Sequence, residues 1–200
     1  MHCLLIATRN SHKTREFAQI LGDRYAVCDL IGLPEIPEVE ETGKTLEENA
    51  IIKARNASEY LPSLVVADDS GLEVDALHGA PGIFSARYAG PQASDKENTG
   101  KLLNEIALAE GDSTRYPARF RCVLAIAEKS HLLQTFEGVA EGTIVCSPRG
   151  TAGFGYDPIF VPEGFEQTFA EMPAEVKNRI SHRVRAIAQL AEYLAKREAR

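Results

Sequence analysis

The sequence predicts a mixed α/β fold with a long central β-sheet flanked by helices. Apolar segments typical of strands alternate with segments of helical periodicity along the chain, which is the pattern of α/β proteins. The 200 residues are 44% hydrophobic and 26% charged, values typical of a globular protein. We therefore expect one domain over residues 1–200 and exclude the disordered, collagen-like and disulfide-scaffold classes.

The N-terminal part of the chain predicts a strand, a helix, a second strand, a loop and a second helix. Short apolar runs indicate the strands, and apolar residues on one helical face indicate the helices. Pro34 and Pro37 favour a loop before the second helix, whose start is marked by a capping-box pattern at Thr45 and Glu48. The predicted ranges are 3–7 and 25–30 for the strands, 13–21 and 45–60 for the helices, and 31–44 for the loop.

The rest of the chain predicts further strands, a long hairpin and three helical segments. Residues 64–67 predict a short strand that runs into the polar segment 68–71, and 72–75 predict a return strand. Two long, partly alternating runs predict an antiparallel hairpin with its turn near Lys129 and Ser130. The remaining ranges are 95–108, 174–178 and 183–198 for helices, 119–128 and 131–145 for the hairpin, 158–161 for a strand, and 79–90 and 150–157 for glycine-rich loops.

The charge balance and the cysteines limit the partners and the compartment. Lys plus Arg total 22 and Asp plus Glu total 29, and the net charge of -7 weighs against binding nucleic acid or an anionic membrane. No apolar run approaches the ~18 residues of a membrane-spanning helix. The cysteines form no C-x-x-C motif, so we expect buried free thiols instead of a zinc site, in a reduced cytoplasmic protein.

A polar segment between the first strand and the first helix is a candidate phosphate site. Unpaired backbone N–H groups and the helix dipole favour anions at such a position, and a lysine adds a full positive charge. An ordinary capped turn with a solvated lysine is the alternative. The segment consists of Thr8, Arg9, Asn10, Ser11, His12 and Lys13.

Carboxylates gather at the end of an apolar strand and in the loop before the second helix. Asp68 and Asp69 follow the strand, and Glu40 and Glu41 lie in the loop. Charges in such a place are costly unless they are solvated, paired or bound to a metal, and hard oxygen ligands suit magnesium. Lys53 on the second helix could pair with this group. A turn with capping aspartates is the alternative.

A third cluster, in the C-terminal part, is a candidate site for a purine base. Two aromatic rings on a glycine-containing loop could stack on the base, and nearby donors and cations could bind its edge. A hydrophobic loop with a charged cap is the alternative. The cluster consists of Phe154, Gly155, Tyr156 and Asp157 on the loop, and Lys177, Ser181, His182 and Arg183 near the last helix.

These motifs occur in an order that closely resembles the inosine/xanthosine triphosphate pyrophosphatase family, and the resemblance spans nearly the whole chain. The matching set is Thr8-x-Asn10-x-x-Lys13, Glu40-Glu41-Thr42-Gly43-x-Thr45, Asn49-Ala50-x-x-Lys53-Ala54, Ala67-Asp68-Asp69-Ser70-Gly71-Leu72, Gly79-Ala80-Pro81-Gly82, Ser85-Ala86-Arg87-Tyr88, Gly153-Phe154-Gly155-Tyr156-Asp157-Pro158 and Ser181-His182-Arg183.

The resemblance implies a homodimeric enzyme with an elongated central sheet and a cleft between two lobes. It implies hydrolysis of non-standard purine nucleoside triphosphates, such as ITP, dITP and XTP, to the monophosphate and pyrophosphate with Mg2+. Such an activity keeps deaminated purines out of DNA and RNA. The expected partner is therefore a small nucleotide, with neither nucleic acid nor a membrane.

Position by position, the resemblance also implies roles for the residues of the three clusters. Asp69 would accept a proton and bind the metal with Glu41, while Asp68, Lys13 and Lys53 support catalysis. One departure is Arg9, where many members have glycine. The substrate-binding residues implied are Thr8 to Lys13 with Arg9 among them, Ser70, Phe154, Gly155, Tyr156, Asp157, Lys177, His182 and Arg183.

The mechanism that we predict is attack of water at the α-phosphorus with pyrophosphate as the leaving group. Asp69 or a neighbouring carboxylate accepts the proton, and Lys13 and Lys53 stabilise the developing charge. A pyrophosphatase of the septum-inhibitor type, which prefers modified pyrimidine or other nucleotides, is one alternative, against which the patterns at 154–157 and 181–183 argue. A nucleotide-binding regulator without activity is the other, against which the intact carboxylates argue.

Overall fold

The computed structural model describes residues 2–110 and 114–199, and within them six strands form one sheet. β1 pairs in parallel with β2 and β3, whereas β5 and β6 are antiparallel, so the sheet is mixed, as the sequence predicts. The strand order is β2-β1-β3-β4-β5-β6. The strands are β1 (His2–Ile6), β2 (Tyr25–Cys28), β3 (Val65–Val74), β4 (Arg115–Glu128), β5 (His131–Val145) and β6 (Phe160–Pro162).

Helices occur in all five places that the sequence predicts. They are α1 (Ser11–Leu21), α2 (Leu46–Glu59), α3 (Asp95–Glu110), α4 (Ala174–Ile180) and α5 (His182–Glu198). Thr45 caps α2, because its hydroxyl accepts a hydrogen bond from the Glu48 amide at 3.1 Å. In a capping box the Glu48 carboxylate would accept from the Thr45 amide, but here it accepts from the Lys44 amide at 2.6 Å. The second hydrogen bond of the motif is therefore made one residue earlier than the pattern predicts. Among the described residues no helix is both long and apolar enough to cross a membrane.

The chain groups into two compact units, and the first contains residues Met1–Asp69, Cys122–Gly138 and Arg183–Arg200. Its core combines apolar residues of β1, α1, the middle of β4 and α5, among them Ile6, Phe17, Leu124 and Leu190. Ile187 and Leu194 of α5 are buried, as the helical periodicity predicts. This unit holds the N-terminal motif and both aspartates of β3.

The second unit contains residues Ser70–Arg121 and Val139–His182. Three aromatic rings form the centre of its core: the Phe120 centroid lies 4.7 Å from that of Phe160 and 6.1 Å from that of Phe169. The assignment of the whole chain to one domain, and the cleft, stay predictions.

The predicted break between residues 68 and 71 is wrong, because β3 runs without interruption from Val65 to Val74. The polar Asp-Asp-Ser-Gly segment resembles a turn, but cationic side chains distant in the sequence pair with Asp68 and with one oxygen of Asp69, so the carboxylates are tolerated within a strand. Only glycine is accommodated at position 71 of this strand, because a Cβ there would overlap the Gly82 carbonyl oxygen. The predicted loop at 79–90 also contains a 3-10 turn, Gly82–Arg87.

The predicted hairpin is confirmed. β4 and β5 are neighbours in the sheet and are joined by Lys129 and Ser130, whose φ angles are +50° and +64°. Positive φ at both central residues is the conformation of a type I′ turn, which joins antiparallel strands.

The expectation of buried thiols is confirmed only for Cys122. Cys3 and Cys146 are exposed and Cys28 is half-buried, although all four are free. Cys3 and Cys28 lie on the paired strands β1 and β2, with their sulfur atoms 2.7 Å apart. For the strand residues Cys3 and Cys28 the prediction relied on apolar neighbours in the sequence, and successive strand residues point to opposite faces of the sheet.

Candidate active site

Asp68 lies at the centre of a buried ion-pair network within the first unit. Its Oδ2 accepts from Arg183 Nε at 2.9 Å and from Cys122 Sγ at 3.2 Å, and its Oδ1 accepts from Lys13 Nζ. Burial would raise the pKa of this carboxyl, but Arg183 and Lys13 outweigh it and hold the pKa well below its usual range. Asp68 is therefore an anion that positions cations, and it is a poor proton acceptor.

Arg183 belongs to that network and is itself only 2% exposed. Its guanidinium also donates to Glu16, on α1. The sequence places Arg183 with the base-binding residues, whereas the structure places its side chain on the two carboxylates. Its contact with a base stays a prediction, and sequence reasoning missed Glu16. The spacing of Glu16 three residues after Lys13, on one helical face, is the signal that could have found it.

Asp69 points to the opposite face of β3, where it meets the second lysine of the site. Lys53 Nζ donates to Asp69 Oδ1 at 2.6 Å, to the Asp68 carbonyl at 2.8 Å and to Glu41 Oε1 at 3.1 Å. Burial would lower the pKa of Lys53, but the carboxylates of Asp69 and Glu41 raise it overall. Lys53, on α2, is thus a fixed cation that contacts the carboxylates of a loop residue and of a strand residue, as the sequence predicts.

The surroundings of Asp69 suit a proton acceptor. Burial raises the pKa of its carboxyl, and Lys53 offsets only part of that effect. Its Oδ2 is buried and has no hydrogen-bond partner among the described residues. An orphaned carboxylate oxygen is costly unless a ligand satisfies it.

The same geometry fits a magnesium ion. Within the described part of the chain, no group of three or more His, Cys, Asp or Glu side chains could hold a metal. Asp69 and Glu41, however, share Lys53, and magnesium commonly uses one or two carboxylates together with substrate phosphates and water. The unpartnered Asp69 oxygen is the observation that favours this fit.

The predicted phosphate segment lies at the N-terminus of α1. The Asn10 carboxamide oxygen caps the helix by accepting from the amides of His12 at 2.9 Å and Lys13 at 3.4 Å. Two of the N–H groups that the sequence offers to phosphate are therefore already bonded. Thr8 accepts from the Asn10 amide at 3.1 Å, and Ser11 is exposed.

The second unit contains the predicted base-binding residues other than Arg183, and Asp157 contacts two of them. Its Oδ2 accepts from Lys177 Nζ at 2.7 Å and from the Phe154 amide at 2.9 Å. Lys177 Nζ lies 5.2 Å from the centre of the Phe154 ring, within range of a cation–π interaction. The loop, the lysine and the carboxylate thus form one connected group.

The other predicted members of this cluster are more buried than expected. Tyr156 lies in the core of the second unit and donates its hydroxyl to the Ser85 carbonyl at 2.9 Å, so its ring is not an open stacking face. His182 is buried and stacks on Phe120, with ring centres 4.8 Å apart. The Gly155 amide is also occupied, since it donates to Asp95 at 2.6 Å. Ser70, which the resemblance assigns to substrate binding but which lies outside this cluster in the sequence, is half-buried on β3.

A pair of glycine substitutions tests the packing of this loop. A Cβ at Gly153, whose φ is +75°, would overlap Asp157 Oδ2 and lie 2.9 Å from its Cγ. We expect Gly153→Ala to lower the free energy of unfolding by about 3 kcal/mol, from the φ cost plus displacement of Asp157. Gly155→Ala is the control, since its φ of +62° is similar but a Cβ there has no atom of the described residues within 4 Å, apart from its chain neighbours. For this variant we expect a loss of about 1 kcal/mol. Equal losses in denaturant unfolding would contradict the contact with Asp157.

Comparisons with known proteins place this geometry in a family. A model of the Ham1 family matches residues 4–193. A dITP/XTP pyrophosphatase of Bacillus licheniformis is 48% identical over 192 residues, covering 96% of this chain and 97% of the relative. One of Geobacter sulfurreducens is 48% identical over 195 residues, covering 96% of each. The structure of a HAM1 protein from Coxiella burnetii has a TM-score of 0.87 at 41% identity, over 98% of this chain and 100% of the other. The chain therefore belongs to the Ham1 family.

Proposed function

We propose that this chain is a nucleoside triphosphate pyrophosphatase that hydrolyses non-standard purine nucleotides such as ITP, dITP and XTP. The products are the nucleoside monophosphate and pyrophosphate. The names of the relatives support this activity. The observation that carries it is Asp69, with one carboxylate oxygen on Lys53 and the other buried with no hydrogen-bond partner in the part of the chain that the structure describes. An activity of this kind would remove deaminated purines from the nucleotide pool.

In the proposed mechanism, Asp69 accepts the proton of the attacking water. Its raised pKa favours this role over Asp68, whose pKa is held low. Lys53 holds Asp69 Oδ1 in place and leaves Oδ2 for the water or the metal. Asp69 and Glu41 would hold magnesium, which would neutralise phosphate charge and make a bound water more acidic. Lys13, at the start of α1, adds positive charge for the phosphates.

For the second unit by itself, we propose that the loop around Phe154 and Lys177 selects a 6-oxo purine. A buried donor aimed at the 6-oxo group would be left unpaired by the amino group of adenine. We assign this role to Lys177, which is buried and is held by Asp157 beside the Phe154 ring. The homodimer remains a prediction that rests on the resemblance alone, and the cytoplasmic location remains a prediction that rests on the cysteine pattern.

A panel of five nucleotides tests the proposed function. Pyrophosphate release should be measured with Mg2+ from the triphosphates of inosine, xanthosine, adenosine, guanosine and uridine. We expect kcat/KM for the first two to exceed the value for ATP by about 100-fold or more, because an unpaired buried donor is costly. Equal rates on all five, or no release from the first two, would refute the assignment. A preference for UTP would favour the septum-inhibitor type instead.

A further inference from the structure

The Arg9 guanidinium is turned onto the loop that follows β2. Its Nη1 donates to the Leu30 carbonyl, and its Nη2 donates to the carbonyls of Ile36 at 2.6 Å and Leu33 at 3.5 Å. Three backbone acceptors therefore share one side chain. The planar fork of an arginine can bridge several carbonyls in this way, whereas a lysine presents a single point charge.

The loop that Arg9 contacts has no helix or strand over residues 29–45. Leu30 and Ile36 are buried, so their carbonyls need hydrogen-bond partners within the protein. The Leu30 carbonyl also accepts from the Leu33 amide at 3.2 Å within the loop, and Arg9 supplies a donor to both carbonyls. The Leu30 amide donates to the Thr8 carbonyl at 3.0 Å, directly beside Arg9. The start of the loop is thus held by hydrogen bonds to the segment between β1 and α1.

The other end of the loop is held by a hydrogen bond to α2. The Gly43 amide donates to Asn49 Oδ1 at 2.8 Å, and Asn49 is fully buried. Gly43 has no room for a side chain, since a Cβ there would lie 2.6 Å from the same oxygen. Glu41, which contacts Lys53, lies between these two attachments.

We propose that Arg9 is a positioning residue that holds the loop 30–36 so that Glu41 reaches Lys53 and Asp69. This role rests on the proposed function, because it takes Glu41 to be a ligand of the metal. It explains how a long, charged side chain is tolerated inside a phosphate-binding segment: the guanidinium binds loop carbonyls and so is turned away from a phosphate role. The ion pair with Glu38, at 3.6 Å and with Glu38 82% exposed, adds little.

The test compares Arg9→Ala and Arg9→Lys with a matched control, Glu38→Gln, which removes the ion pair but keeps the carbonyl contacts. We expect Arg9→Ala to lower kcat/KM about tenfold and to raise the Mg2+ concentration for half-maximal activity, with Arg9→Lys intermediate. Added guanidinium ion should restore part of the Arg9→Ala loss. Glu38→Gln should stay within twofold of the wild type.

Two further measurements separate positioning from phosphate contact. Hydrogen exchange of amides 38–45, which needs neither nucleotide nor turnover, should be faster in Arg9→Ala and unchanged in Glu38→Gln. In a Glu41→Gln background, Arg9→Ala should change kcat/KM by less than threefold, because its effect passes through Glu41.

Specific outcomes would overturn the proposal. The first is unchanged exchange of amides 38–45 in Arg9→Ala, and the second is a wild-type Mg2+ dependence in the same variant. The third is an Arg9→Ala effect that changes only the KM for nucleotide and is just as large in the Glu41→Gln background. The last result would make Arg9 a phosphate ligand. Absence of nucleotide hydrolysis by the wild-type protein would refute the proposed function instead, and the exchange measurement would still report on the loop.

Discussion

Asp69→Asn is expected to lower kcat for ITP hydrolysis by about 10²–10⁴-fold, the usual range for loss of a positioned proton acceptor. The amide has no basic oxygen, and its NH2 group cannot replace Oδ2 as a metal ligand. Lys53 would still find one acceptor, the amide oxygen, at the position of Oδ1, so the local contacts survive. Pyrophosphate release under saturating ITP and Mg2+ measures the loss.

The same substitution should leave stability within about 1 kcal/mol of the wild type. Burial raises the pKa of Asp69, so its ionised form costs folding free energy that an amide does not. Asp23→Asn, at an exposed aspartate, is the matched control and should change neither activity nor stability. Near wild-type turnover in Asp69→Asn would remove Asp69 as the essential carboxylate and direct attention to Glu41.

Local signals in the sequence predicted the helices and the hairpin well. Thr45 caps α2 as its pattern indicates, because a cap acts within three residues of itself. The turn at Lys129 and Ser130 was found for the same reason, since two apolar runs flank it directly. Such features depend on neighbours in the chain, which a sequence displays.

Features that depend on distant partners were harder to predict. The aspartates of β3 suggested a turn because their sequence gives no sign of Arg183, which lies 115 positions away and neutralises Asp68. The resemblance grouped Asp68 and Asp69 in one active centre, yet they lie on opposite faces of the strand, and their pKa values are shifted in opposite directions. Arg9 is a similar case, since only the folded loop supplies the carbonyls that it binds.

Asp68→Asn is expected to lower the free energy of unfolding by about 3–5 kcal/mol, because it breaks a buried ion pair by removing one partner. Both carboxylate oxygens accept from cations, Oδ1 from Lys13 and Oδ2 from Arg183. An amide offers one acceptor and turns a donor toward the other cation. Arg183 is buried and so cannot regain its lost partner from water. Denaturant unfolding near neutral pH measures the change.

A surface ion pair of the same kind is the control for this loss. Asp75→Asn breaks a contact of 3.0 Å with Arg119, but the Asp75 side chain is 50% exposed, so a loss of at most about 1 kcal/mol is expected.

Acid should remove the difference in the free energy of unfolding between the wild type and Asp68→Asn. The folded pKa of Asp68 is depressed, so its stabilisation is present above the unfolded value near 3.8 and is lost as pH falls through the folded pKa. A gap that stays constant as the pH falls far below 4, or a loss no larger than that of Asp75→Asn, would show that the charge on Asp68 does not hold this network together.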